Sequence, residues 1–129
     1  LKKLTKDMIF QKNELEQRIR AAADDVQVAV RVYNDHNAGN RASIEDFVGF
    51  YNQIVVEAQA FTEEVHDAQL AFQENRSDTW RNSENGGVYE GWVDRWSISM
   101  DEIGVDCHDD IEEPEMEAAD MMSDLPEQP

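Results

Sequence analysis

From Ile44 onward the apolar positions run Ile44, Phe47, Tyr51, Ile54, Ala58, Phe61, Val65, Ala68 and Phe72, in alternating steps of three and four. This is a heptad seam sustained over about four heptads, and it predicts a helix spanning 44–76. Ser43 followed by Asp46 makes a capping-box pattern with Asp in place of the usual Glu, which puts the helix start near Ile44. Upstream, Leu4, Met8, Leu15, Ile19, Ala22, Val26, Ala29 and Tyr33 form a looser stripe, widened by Val28, Val30 and Val32, that predicts a helix over 4–34. Residues 34–40 (Asn-Asp-His-Asn-Ala-Gly-Asn) are turn-forming types. Two long helices joined by so short a connection pack as an antiparallel hairpin of roughly 45–50 Å, at about 1.5 Å per residue. Phe47, Ile54, Phe61, Val65 and Phe72 are expected to be buried against residues 15–33, although the same seam could join two chains into a homodimer.

Asn85-Gly86-Gly87 interrupts the pattern, after which Val88, Trp92, Trp96 and Met100 recur every four residues and predict a third helix over 88–101. Tyr89 and Val93 widen its apolar face, and the indoles should cover one end of the hairpin. In the tail, Ile103, Val105, Ile111, Met116, Met121, Met122 and Leu125 are scattered among acids, with Pro114 and Pro126 bracketing an expected short helix over 114–123. No strand-like alternation extends beyond a few residues. The expected fold is all-α: a long coiled-coil-like hairpin and a Trp-bearing third helix in a domain over 1–103, followed by an acidic segment over 104–129.

Charge changes this picture along the chain. The whole carries −18, with 29 Asp or Glu against 11 Lys or Arg in 129 residues. Residues 1–20 hold six Lys or Arg against three acids, a local +3. Residues 21–100 hold 14 acids against five Arg, giving −9, and residues 101–129 hold 12 acids and no Lys or Arg, giving −12. A block like this last one repels itself unless something cationic neutralises it, and the basic first helix is the nearest candidate. A surface so negative disfavours direct nucleic-acid binding, because phosphate contacts need cations. No run approaches the roughly 18 apolar residues of a membrane span, and a single Cys107 allows no internal disulfide. The Lys-rich start lacks the continuous apolar stretch of a secretory signal, so a cytoplasmic location is the default.

Catalytic and metal chemistry find little support. Glu63 and His66 make one Glu-x-x-His pair, whereas a di-iron bundle uses two such pairs with two further carboxylates. Asp106-Cys107-His108-Asp109-Asp110 concentrates metal-capable side chains but lacks the alternating oxygen ligands, central Gly and closing Glu of a calcium loop. The acids around Cys107 disfavour its thiolate. No serine lies in a Gly-x-Ser-x-Gly context, and no phosphate-cradling Gly loop is present. No enzyme, cofactor or metal is therefore expected.

The acidity itself is the feature that asks for a role. Carboxylates held on a rigid helical frame can imitate the phosphates of a nucleic acid and occupy the basic groove of a protein that binds DNA or RNA. In composition, though in no motif, the chain is similar to small acidic helical inhibitors from phages and mobile elements. That likeness implies a counter-defence role. The expected partner-binding residues are Asp106, Asp109, Asp110, Glu112, Glu113, Glu115 and Glu117 in the tail, and Glu63, Glu64 and Asp67 on the second long helix. Trp80 and Tyr89 join them as aromatic anchors, while Trp92 and Trp96 are read as core. The alternative is a structural or adaptor coiled coil whose acidic tail solubilises or regulates it.

Overall fold

A computed structural model describes residues 1–36, 41–105 and 111–129, and in it the described chain is all-helical apart from extended connections. The elements are α1 (Lys6–His36), α2 (Arg41–Glu74), α3 (Asp78–Arg81), α4 (Glu84–Trp96) and α5 (Ala118–Asp124). Helices α1 and α2 pack antiparallel along their length, since Ala29 and Tyr33 cluster with Ile44 at one end while Arg18 reaches Glu57 near the middle. One face of the pair is apolar: Leu15, Ile19, Ala22, Val26 and Val30 on α1 meet Tyr51, Ile54, Val55, Ala58, Phe61 and Val65 on α2, all nearly or fully inaccessible. Side chains of this size each contribute about 1.5–3 kcal/mol on full burial, which is what holds two long helices side by side.

The buried positions of α2 depart from a strict seam. Phe47 is 37% exposed, and Ala68 and Phe72 are half-buried, while Val55, Thr62 and Gln69 lie inside. The expectation of a buried Phe47 is therefore corrected. Burial follows a broad face set by three neighbours of α2 (α1, α4 and the C-terminal segment) instead of the narrow stripe a single facing helix requires. Ser43 also sits inside α2 and not at its start. Helix N-terminal N–H groups can be satisfied by water, so a Ser-x-x-Asp pattern does not by itself fix where a helix begins.

The turn between α2 and α4 is built differently from the glycine break the sequence suggests. Asn85, Gly86 and Gly87 lie within the first turns of α4, and the break falls earlier, at residues 75–77 and 82–83. Ser77 caps α3 by accepting from the Trp80 N–H at 3.2 Å, and Ser83 caps α4 by accepting from the Gly86 N–H at 3.2 Å. Gly86 is needed for proximity: a Cβ there would run into the carbonyl oxygens of Trp80 and Arg81. Tyr89, Trp92, Val93 and Trp96 are the buried face of α4, whereas Val88 is 53% exposed and falls off the predicted stripe.

Helix α4 stops at Trp96 and does not run on to 101, because the next residues become an extended strap along α2. The side-chain amide of Gln59 donates to the Ile98 carbonyl at 3.1 Å and accepts from the Met100 N–H at 2.9 Å. One turn-pair along α2, Asn52 brackets Ile103, donating to its carbonyl at 2.9 Å and accepting from its N–H at 2.8 Å. Near the helix connection Asn34 of α1 does the same to Ile111, at 2.9 Å in each direction. Each amide replaces a neighbouring strand for the extended backbone it holds. The chain then returns along α1, where α5 begins at Ala118, four residues later than the helix expected over 114–123. Ala118, Ala119, Met122 and Leu125 enter the same core as the hairpin. At the far end the Trp92 and Trp96 indoles both donate to the Pro126 carbonyl, at 2.7 and 2.9 Å, and the Leu4 N–H donates to the Glu127 carbonyl at 2.9 Å.

Candidate acidic interaction surface

The strap decides where the tail carboxylates stand. Ile111 is fixed to Asn34, Glu113 accepts from Arg31 Nε at 2.9 Å, and Asp120 accepts from Arg20 at 3.1 Å. The acidic segment thus lies against two cations of α1, of which Arg20 belongs to the basic stretch over 1–20 and Arg31 lies outside it. Between these fixed points Glu112, Glu115 and Glu117 are exposed. Arg20 also bonds Glu16 at 3.1 Å, and these two carboxylates raise the guanidinium pKa further above its already high range. The expected partner-binding residues Asp106, Asp109 and Asp110, together with Cys107 and His108, lie outside the described residues.

On α2, Glu63, Glu64 and Asp67 are all exposed. Glu63 accepts from the Gln59 amide at 3.1 Å, which couples it to the group holding the strap. Glu63, Asp67 and Glu74 follow at steps of four and seven residues, so they fall on one stripe with rises of about 6 and 10.5 Å. Glu57 stands apart from that stripe: both its oxygens accept from Arg18, at 2.9 Å each, and this bidentate hydrogen bonding holds its carboxyl below the usual glutamate range. The pair ties α1 to α2 across the surface.

The two aromatic anchors separate. Tyr89 is 3% exposed, so the expectation that it contacts a partner is corrected. Its ring lies 4.9 Å from Phe72, 5.7 Å from Trp80 and 5.3 Å from Trp92, and its hydroxyl donates to the Leu1 carbonyl. Burial pushes the Tyr89 phenol up to about 12, with nearby Arg76 opposing. Four rings pack together at this end of the bundle with Tyr89 and Trp92 inside, and the period of α4 turns Tyr89 into that cluster and Val88 out of it. Trp80 is half-buried at the rim, packed edge-on to Phe72 at 5.9 Å. Arg76 lies over the Phe72 ring at 4.1 Å and reaches toward Trp80 at 5.8 Å. Burial also raises the Tyr51 phenol, although a hydrogen bond with the Ala118 backbone works the other way and links α2 to α5.

Among the described residues no three His, Cys, Asp or Glu side chains come together in a set that could hold a metal ion. None of the described helices is long and apolar enough to cross a membrane. Sequence reasoning missed the three amides that position the acidic strap. A signal was present for two of them: Asn52 and Gln59 are seven residues apart on α2, hence on one stripe beside the apolar face. Asn34 was read only as a turn residue. Comparison with family models, curated proteins and solved structures finds no match.

Proposed function

We propose that the protein is a non-enzymatic acidic decoy that occupies the basic nucleic-acid-binding surface of another protein. The observation that supports this reading is the strapping of the tail: Glu112, Glu115 and Glu117 project from a backbone anchored at Ile111, Glu113 and Asp120, on a frame of roughly 45–50 Å. A carboxylate on a fixed backbone can be read by position, whereas one on a free tail contributes only to a diffuse cloud. Displacement of bound DNA or RNA then follows from counterion release, as it does for the polymer itself. A counter-defence role for a phage or mobile element fits such a decoy.

The test has two steps. Proteins captured on the immobilised chain from lysate at low salt are challenged with DNA and RNA, and competition is measured over a salt series. A decoy and the nucleic acid exclude each other, and affinity for the chain falls steeply and linearly on a log–log plot against salt. Glu112→Lys, Glu115→Lys and Glu117→Lys should weaken binding by unequal increments. A captured protein that holds the chain and nucleic acid together would remove the decoy reading.

A second reading has its own observation. Val28, Val32, Phe47 and Phe50 are 55%, 37%, 37% and 53% exposed, and all lie toward the connected end of the hairpin. Such residues suit an adaptor that docks through apolar contacts, or a homodimer. Binding that survives high salt but is lost in Phe50→Ser would favour it over the decoy.

A further inference from the structure

The residues leading into α1, its first turns and residues 123–128 line an open cavity of about 720 Å³ whose wall is more positive than the chain as a whole. Lys3, Lys6 and Lys12 line it, with Asp124 and Glu127 the only carboxylates on its wall. On a chain of net charge −18 this is a local excess of positive charge. Lys12 is the informative residue. It is 4% exposed, and no ion pair or hydrogen bond joins its ammonium to any described residue. Asp124 and Glu127 line the same cavity, but neither is paired with any of the three lysines. Its stem is packed in protein while its ammonium reaches the open volume, so an anion there can meet a charge whose position the packed stem fixes. Ile9 and Leu125 supply apolar walls beside it. The volume lies within the range of small-molecule sites.

We propose that this cavity binds the phosphate group of a small phosphate-bearing anion, with Lys12, whose stem is packed, as the fixed contact and the exposed Lys3 and Lys6 as the further cations of its wall. Phosphate is favoured over a carboxylate because three lysines on one wall suit a dianion better than a monoanion, and lysine serves phosphate as a mobile point charge. The site faces a different ligand from the decoy surface and does not depend on it.

The probe is inorganic phosphate on the full chain, with sodium chloride at matched ionic strength and sodium acetate as comparison arms. Binding is read by phosphorus NMR and by melting temperature. Phosphate at ten times its dissociation constant should raise the melting temperature by roughly 4 °C over chloride. Lys12→Met, which keeps the packed stem, should weaken phosphate binding at least about tenfold. Asp124→Asn, by removing a competing carboxylate, should tighten it. If Lys12→Met does not fold, the exposed double variant Lys3→Met with Lys6→Met reads the same site. An equal melting response in wild type and variants would be a general salt effect and would overturn the proposal. So would an equal response to acetate, or a phosphate response absent from the wild type and seen only in Asp124→Asn, which would show Lys12 and Asp124 paired in solution.

Discussion

The hairpin and the C-terminal strap are packed against each other, yet they are held by different physics. Helices α1 and α2 satisfy their own backbone hydrogen bonds, so their contact can be almost purely apolar. The described parts of the strap, 97–105 and 111–117, have no helix to satisfy their N–H and C=O groups, and they lie along protein where water is partly excluded. Gln59, Asn52 and Asn34 supply the missing donors and acceptors at Ile98, Met100, Ile103 and Ile111, and beyond α5 two indoles donate to the Pro126 carbonyl. The lesson is that irregular backbone can be buried only where another element offers polar side chains at matching intervals. In this protein those side chains sit on the flank of a stripe whose centre is apolar.

The contrast can be broken most forcefully on the hairpin side. Phe61 is 4% exposed and packs edge-on against Trp96 at a centroid distance of 6.2 Å. Phe61→Ala should lower the unfolding free energy by about 3–5 kcal/mol in a denaturant titration. A loss below about 1 kcal/mol would mean that apolar volume is not what holds α2 in place.

On the strap side the expected loss is smaller and more local. Asn52→Ala leaves both the N–H and the carbonyl of Ile103 without their partner, which should cost about 1–3 kcal/mol. Amide exchange should accelerate across 98–105 while the amides of Val26 and Ile54 keep their protection. Uniform acceleration through the hairpin would instead make strap and hairpin a single cooperative unit.

Gln69 sharpens the comparison from within the hairpin. It is wholly inaccessible, and neither its amide nitrogen nor its amide oxygen has a hydrogen-bond partner among the described residues. It is a strap-type residue placed where the packing is hairpin-type. Gln69→Met, of similar length and without the amide, should therefore stabilise the protein by about 1–2 kcal/mol. Destabilisation would show that the amide is satisfied in solution.

The smallest effect belongs to the surface pair Arg18–Glu57. Both side chains are about half exposed, and pairs of this kind contribute little. Because hydrogen bonding to Arg18 lowers the folded-state pKa of Glu57, its contribution is present above the ordinary value of 4.5 and is lost as pH falls through the lower folded value. An NMR titration should find the Glu57 carboxyl below that value in the wild type and restored toward it in Arg18→Met. Melting temperatures of the two proteins should converge as the carboxyl protonates.

The helices could be read from the sequence where one face meets apolar neighbours along its whole length, as from Tyr51 to Val65 on α2 and from Leu15 to Val30 on α1. The reading failed at ends and turns. Gly86 reads as a breaker in the sequence, whereas its lack of a Cβ serves a close approach to Trp80 and Arg81, and Phe47 reads as core because periodicity gives direction without saying whether a neighbour reaches that far. Of the candidate surface, the residue types and their excess of charge were legible. Their arrangement was not, since Glu113 meets Arg31 and Asp120 meets Arg20 across separations of 82 and 100 residues.

The sequence by itself determined that the chain is all-α, that two long amphipathic helices dominate it, and that its negative charge gathers toward the C-terminal end. Local periodicity and composition suffice for these, because a helix is a bargain each segment settles with its own backbone. Only the tertiary structure decided that the acidic segment is strapped down, that Tyr89 is inside while Trp80 reaches the rim, and that Lys12 ends beside a cavity without a partner among the described residues. These outcomes depend on residues far apart in the chain meeting at a few ångströms, and no spacing within a single segment encodes that distance.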